Sequence, residues 1–258
     1  MDDLKSGRGF FGVIAAILAL IAGFFGINLV NDSDFGGGSG ETGAPPVAIP
    51  TEVVDPNRIW YEIYFTNPSC PDESERIGGL DEIIASDIDF AEVQVDIAAF
   101  DLDSEPIIES LIAARERDLN VRVVVDDEHT PASTVNRLRR NGMSVIEDQR
   151  SALMHNKFIV IDGRYLWTGS MNFASNGVYC NNNNVVRIDS PRLASNYLAE
   201  MDEMYFDRVF GPRSPENTAF TFIENGVTIE NYFAAEDELA PIIGRVIARA
   251  DNEIMFMA

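Results

Sequence analysis

An α/β/α sandwich with a mixed, largely parallel central sheet is what this sequence predicts, on three observations. Between residues 58 and 150, apolar runs of strand length alternate with stretches of helical periodicity, the rhythm of strands and helices layered around one sheet. The strand-like runs are rich in Val, Ile, Tyr and Phe, which suit a pleated, buried surface. A hydrophobic content of 46% supplies the apolar surface for a core.

The elements follow in order. IWYEIYF, from Ile59, reads as a strand, and TNPSCPDESE as a loop. Leu80, Ile83 and Ile84 mark one face of a short helix, and AEVQVDIAAF alternates as a strand. PIIESLIAARERDL has helical spacing, with Pro106 suited to the first turn. VRVVVDD is a strand ending in acids, TVNRLRRNGM a helix closed by Gly142, and MSVIE a further strand. HNKFIVID and YLWTGS are two strands joined at Asp162-Gly163-Arg164, and Asp-Gly between β-formers signals a hairpin. SPRLASNYLAEMDEMYF places Leu193, Tyr197, Leu198, Met201 and Tyr205 on one helical face.

The two ends differ from this middle. Residues 10–30, FFGVIAAILALIAGFFGINLV, form an apolar stretch long enough to cross a bilayer as a helix. Lys5 and Arg8 precede it and the next basic residue is Arg58, which predicts a single-pass anchor with a cytoplasmic N-terminus and the remaining chain outside. A cleaved signal peptide is the alternative. Residues 31–57 are rich in Gly, Ser, Pro and acids and read as a tether. Residues 226–258 echo residues 59–99, with Glu230, Tyr232 and Phe233 matching Glu62, Tyr64 and Phe65. The expected organisation is a stub and anchor (1–30), a linker (31–57), a main domain (58–215) and the start of a second, truncated repeat (216–258).

Forty-two acidic against nineteen basic residues give a net charge of −23, which disfavours a broad, sequence-blind nucleic-acid groove while leaving room for a local phosphate pocket. Arg137, Arg139 and Arg140 form the basic cluster of note. Two histidines and two distant cysteines make a poor metal cluster. Cys70 and Cys180 could form a disulfide outside the cytoplasm or remain two free thiols.

The chemistry concentrates in His155-Asn156-Lys157, Asp162, Gly169-Ser170 and Asn172, a pattern H-x-K-x4-D-x6-G-S-x-N. On a strand, His155 and Lys157 would share a face, and the hairpin would return Ser170 and Asn172 towards them. An imidazole, an ammonium and an amide converging on one point suit a phosphate monoanion. Asp162 sits at an odd offset from His155 and would face away, at the turn.

This pattern, with the wording MHNKFIVID and GSMNF, resembles the HKD motif of the phospholipase D superfamily over roughly residues 58–210. It looks nearest to the small bacterial nucleases and the mitochondrial cardiolipin hydrolases. The resemblance implies a phospholipase D-like fold and metal-free, cofactor-free phosphodiester cleavage, with His155 as nucleophile forming a phosphohistidine. Lys157 and Asn172 would stabilise the phosphoryl oxygens, and Asp162 and Ser170 count with them as the remaining catalytic positions of the motif. A second histidine, as general acid and base, would come from a motif beyond Ala258 or from a homodimer partner. His129, the other histidine, reads as a surface-loop residue. Related members carry an acid in N-x-E-N that orients the nucleophile, whereas here Asn183 stands there, expected beside Lys157 and Asn172 as a substrate-binding residue whose amide can accept the imidazole N–H but adds no charge. Cys70 and Cys180 would brace the pocket mouth if bonded. Three functions follow: a phosphodiesterase acting on phospholipid headgroups, a nuclease of the same superfamily, and a catalytically degenerate phosphate-binding module. Hydrolysis and transfer to another alcohol remain equally open.

Overall fold

The computed structural model describes residues 28–30, 54–234 and 236–255. Its strands and helices are β1 Asn28–Val30, β2 Tyr61–Phe65, α1 Leu80–Asp89, β3 Gln94–Ala99, α2 Glu105–Glu116, β4 Asn120–Val125, α3 Ala132–Arg140 and β5 Ser144–Glu147. They continue with β6 Lys157–Ile161, β7 Tyr165–Gly169, α4 Ser175–Tyr179, β8 Asn184–Asp189, α5 Pro191–Asp202, β9 Thr221–Glu224, β10 Val227–Glu230 and α6 Leu239–Ala248.

The chain divides into two compact units. Trp60–Thr218 form one, built on a seven-stranded sheet in the order β2-β8-β7-β6-β3-β4-β5. The sheet is mixed, as expected, but it is not largely parallel. Only β3, β4 and β5 run parallel to one another; β6, β7, β8 and β2 extend the sheet by antiparallel pairing. The cause is local. Parallel neighbours need a crossover helix, which α2 and α3 supply, whereas β6 and β7 are joined by a tight hairpin. There Asp162 and Gly163 both take the left-handed conformation, at φ 54° and 63°, as an Asp-Gly turn requires.

Helices α1 and α2 pack against one another, and α5 packs on β3, β6 and β7. Pro106 lies in the first turn of α2, where its missing N–H costs nothing. Ser190 caps α5 by accepting the Leu193 N–H at 3.2 Å. The fully buried Ile84, Ile88, Ile97, Leu102, Leu111, Ile159 and Trp167 fill one core. Arg122, in β4, pairs with the fully buried Asp96 of β3 and with Asp202 at the end of α5.

One consequence of the register positions the site. Ala99, at the end of β3, pairs with Lys157, at the start of β6, and the Phe100 N–H continues the ladder onto the Asn156 carbonyl at 2.9 Å. The Asp126 N–H, just past β4, donates to the Ala99 carbonyl at 3.3 Å. Because β7 is antiparallel to β6, its C-terminal end returns to this same edge. Four segments therefore converge there: residues after β3, after β4, before β6 and after β7.

The second unit is formed by described residues of Met1–Ile59 and Ala219–Ala258. In it β1, β10 and β9 make an antiparallel sheet, β9 and β10 being joined at Asn225-Gly226. Arg58 pairs with the buried Glu224 at 2.8 Å. Strand β10 is followed by helix α6, the order of β2 and α1, but its neighbours in the sheet are different. The expected membrane helix covered residues 10–30. Its last three residues form β1 instead of helix, and residues 10–27 lie outside the described residues, as does most of the 31–57 linker. Among the described residues no helix is long and apolar enough to cross a membrane.

Candidate active site

The converging edge centres on one aromatic ring. Phe100, immediately after β3, meets the His155 imidazole edge-on, with ring centres 4.6 Å apart. The Lys157 ammonium sits 4.9 Å from the centre of the same ring and donates to the His155 carbonyl at 2.9 Å. An ammonium over an aromatic face is held by the ring's quadrupole, so Phe100 fixes the approach of both motif residues.

Electrostatics then sets their protonation. Partial burial, and next the Lys157 ammonium, push the His155 pKa below its ordinary 6.5. The imidazole is thus neutral around pH 7, the state a nucleophile needs. Burial lowers Lys157 to about 8, against the opposing pull of Asp101 and Asp126. Burial, and then Asp103, raise Asp101 in turn, while His129 and Lys157 lower it.

The remaining motif residues divide. Ser170 donates to Asn183 Oδ1 at 2.9 Å and accepts the Asn184 N–H at 3.1 Å. Its hydroxyl has one proton, and that proton is committed to the loop. Gly169 is required by packing: a Cβ there would stand 2.2 Å from the Asn184 carbonyl oxygen. Asn172 is half-buried beside the loop that follows Phe100, whose Asp103 and Ser104 N–H groups donate to the next residue's carbonyl, that of Phe173, at 3.2 and 3.1 Å. Its Oδ1 is buried without a hydrogen bond among the described residues, so this amide retains unmet polar capacity at the edge.

Asp162 is at the far end of β6 from Lys157, about 16 Å away at strand rise. Its carboxylate accepts the N–H groups of Glu92 at 2.9 Å, Val93 at 2.8 Å and Gln94 at 3.0 Å. Counting it among the catalytic residues is thereby corrected, since it ties the hairpin to the segment entering β3. Asn183 is corrected as well. It donates to the Gly177 carbonyl at 2.8 Å and holds Ser170, and makes no contact that orients His155.

Cys70 and Cys180 are disulfide-bonded. The bond ties the loop after β2 to the segment leading into Asn183, where Thr66 also accepts the Asn183 N–H at 2.7 Å. The Arg137–Arg139–Arg140 cluster is already occupied. Arg137 pairs with Glu105 and Glu109, Arg139 pairs with Glu147 at 2.6 Å, and Arg140 bonds its own helix at Asn136.

Sequence reading missed Phe100, Asp126 and the placement of His129. Asp126 is buried at the end of β4, and His129 follows in the turn. The His129 ring stacks on Phe100 with centres 4.1 Å apart and planes tilted by 33°. The signal that could have found them is the pair of acid-ended runs, AAFD and VVVDD, because the carboxyl ends of parallel strands are where open α/β sheets build their sites.

The fold and this edge define an α/β domain carrying a neutral histidine and a partly buried lysine at the carboxyl ends of its parallel strands. Residues 84–205 match the family described as "Cardiolipin synthase, PLD-like domain". It is similar to a mitochondrial cardiolipin hydrolase of Chlamydomonas reinhardtii, 31% identical over 113 residues that make up 43% of this chain and 51% of the relative. It is also similar to a phospholipase D of Rickettsia conorii, 33% identical over 122 residues, 46% of this chain and 61% of the relative. The chain thus spans between half and two thirds of the length of these relatives. Among solved structures, the phospholipase D family member Nuc of Salmonella typhimurium is similar with a TM-score of 0.46 and 24% identity, covering 55% of this chain and 91% of that one.

Proposed function

We propose that this domain is a phospholipase D-type phosphodiesterase that acts on phospholipid headgroups through a phosphohistidine at His155. The observation that carries the reading is the pair on Phe100: an imidazole held neutral beside an ammonium held close by. His155 attacks phosphorus in line, the bond to the alcohol breaks, and Lys157 and Asn172 receive the charge that develops on the non-bridging oxygens. Asn172 would serve through its Nδ2–H donors; its Oδ1, the atom without a hydrogen bond among the described residues, is an acceptor and stays turned away from the phosphoryl oxygen. Asp162, Ser170 and Asn183 hold the loops on which this depends.

Support for lipid over nucleic acid comes from three directions. The relatives are a cardiolipin hydrolase and a phospholipase D by name. The net charge of −23 repels a long polyanion. The arginine cluster that could have offset it is paired with Glu105, Glu109 and Glu147. An anchor in the apolar stretch that starts at residue 10 and ends before β1 would hold the domain beside a bilayer, outside the cytoplasm. A nuclease of the same superfamily is the alternative outcome of the test. The test is headgroup release from mixed phospholipid vesicles beside cleavage of single-stranded DNA, each with wild type and His155→Ala. Headgroup release abolished by the substitution supports the proposal; cleavage of DNA alone overturns the substrate, and activity surviving the substitution overturns the mechanism.

A further inference from the structure

We infer that a cleft between the tail of β5 and the segment after α5 is a second anion site, in which Arg150, Arg208 and Arg213 receive a phosphate group outside the reaction centre. That phosphate is carried by the headgroup of an anionic lipid or is free in solution; the chemistry that recognises it is the same. The inference goes beyond the reaction at His155 and does not depend on it.

The cleft has a volume of about 600 Å³, within the range of small-molecule pockets. Residues 144–150 form one side of it, and Arg208, Phe210 and Arg213 the other. Four arginines line it, counting Arg139. Arg139 is already engaged, by Glu147 at 2.6 Å and by the Val145 carbonyl at 2.9 Å. Among the described residues, the side chains of Arg150, Arg208 and Arg213 have neither an ion pair nor a hydrogen bond. Elsewhere in this unit Arg122, Arg137, Arg164 and Arg187 each hold a carboxylate. The two carboxylates of the cleft do not fill the gap. Glu147 is taken by Arg139, and the buried Asp148 accepts the Asp127 N–H at 3.1 Å.

The charge of the whole chain sharpens the point. With forty-two acids against nineteen bases, three guanidinium groups still share one cleft with no acid of their own. Their mutual repulsion is screened less where Val145, Ile146 and Phe210 are buried beside them. An anion drawn into the cleft turns that repulsion into attraction. Guanidinium suits phosphate in particular, because its planar fork of N–H donors matches two oxygens at once. A single phosphate gains this without bringing a long polyanion against an acidic surface.

The backbone sets the donors in place. Gly211 has φ 69°, and a Cβ there would stand 2.8 and 3.0 Å from Nη1 and Nη2 of Arg150. The Arg150 guanidinium therefore lies against bare backbone, positioned by contact while its N–H donors stay unmet. On the two sides of the cleft, Gln149 and Arg208 take the left-handed conformation, at φ 51° and 58°. Residues with a Cβ adopt it at a cost, and such backbone concentrates where ligands are clamped. Arg150 stands five positions before His155, so their backbones are at most about 18 Å apart. The second phosphate thus sits in the neighbourhood of the catalytic edge.

The test is site-resolved labelling of the full-length chain carrying His155→Ala, so that no lipid is turned over. Phenylglyoxal attacks guanidinium groups, and peptide mass spectrometry reads the rate at each arginine. Inorganic phosphate at about ten times its Kd should slow Arg150, Arg208 and Arg213 about tenfold against chloride of equal ionic strength, and leave the exposed Arg249 unchanged. Arg208→Gln or Arg213→Gln should raise the phosphate concentration that half-protects Arg150 by about tenfold. Lys157→Gln should leave that concentration unchanged. Two further arms use vesicles of phosphatidylcholine, with and without phosphatidylglycerol. Protection that requires phosphatidylglycerol assigns the phosphate to a lipid headgroup; protection by free phosphate, with both vesicles alike, assigns it to solution. Three arginines that label as fast with phosphate and with phosphatidylglycerol as in their controls overturn the inference. Protection lost in Lys157→Gln overturns it too, by placing the phosphate at the catalytic edge, and so does protection by a single-stranded oligonucleotide alone.

Discussion

Replacing Asp162 by alanine should destabilise the domain while leaving its chemistry nearly intact, although this aspartate is the third letter of the motif. Its carboxylate is the acceptor for the Glu92, Val93 and Gln94 N–H groups. Hydrogen bonds to an ionised acceptor contribute about 1.5–3 kcal/mol each. Two of these three are solvent-exposed, where water replaces the lost partner, so their sum falls near 3 kcal/mol rather than at the top of the range. The position also has φ 54°, and the left-handed region costs an alanine roughly 1–2 kcal/mol. A total of about 4–5 kcal/mol corresponds to roughly 8–20 °C of melting temperature for a domain of this size. Asp162→Asn should fall between wild type and alanine: one oxygen still serves Val93 and Gln94, but an amide N–H now faces that of Glu92. Circular dichroism melts give the shift, and kcat/KM measured well below the melting temperature gives the chemistry. An alanine variant that melts with wild type but has lost a hundredfold in kcat/KM would refute the assignment of Asp162 to structure.

Two further outcomes follow from the site. The pH profile of kcat/KM should be a bell. Its acid limb lies below 6.5, where His155 gains a proton and loses its lone pair; its alkaline limb lies near 8, where Lys157 loses its charge. Lys157→Arg should remove the alkaline limb, because guanidinium does not titrate there; a limb that stays near 8 in this variant would assign it to another group. Asn183→Asp should not restore the activating acid that related sequences carry, because Asn183 is committed to Gly177 and Ser170. It should instead cost about 1–3 kcal/mol by setting a carboxylate against the Gly177 carbonyl, and a rise in kcat with unchanged stability would contradict the placement.

What was legible in the sequence was what local chemistry dictates. The Asp162-Gly163 hairpin, Pro106 in the first turn of α2 and Gly142 closing α3 are each set by one or two residues and a few degrees of backbone freedom. The G-S-x-N segment was legible as a motif, but its physics was not. Gly169 is needed for close approach to Asn184, and Ser170 bonds Asn183, neither of which spacing reveals. Strand order was not legible either. The runs at β3 and β6 look alike on paper, and only the register that pairs Ala99 with Lys157 makes them antiparallel neighbours. His129 is the exposed turn residue the sequence predicts, but its neighbour was not legible, for the same reason. The residue is in a turn and is exposed, yet it meets Phe100, 29 positions earlier in the chain, only because β3 and β4 are parallel neighbours whose ends coincide. Periodicity identifies strands and says nothing of which ends meet.

The central claim is that His155 becomes covalently phosphorylated in turnover, and rapid quenching under alkaline conditions followed by peptide mass spectrometry tests it most directly. With a phosphodiester substrate in excess, a phosphoryl adduct should be found on His155, stable in base and lost in acid, absent from His155→Ala, and formed at a rate no slower than kcat. A chain that turns over fully while His155 carries no adduct, or that carries it on another residue, would contradict the account.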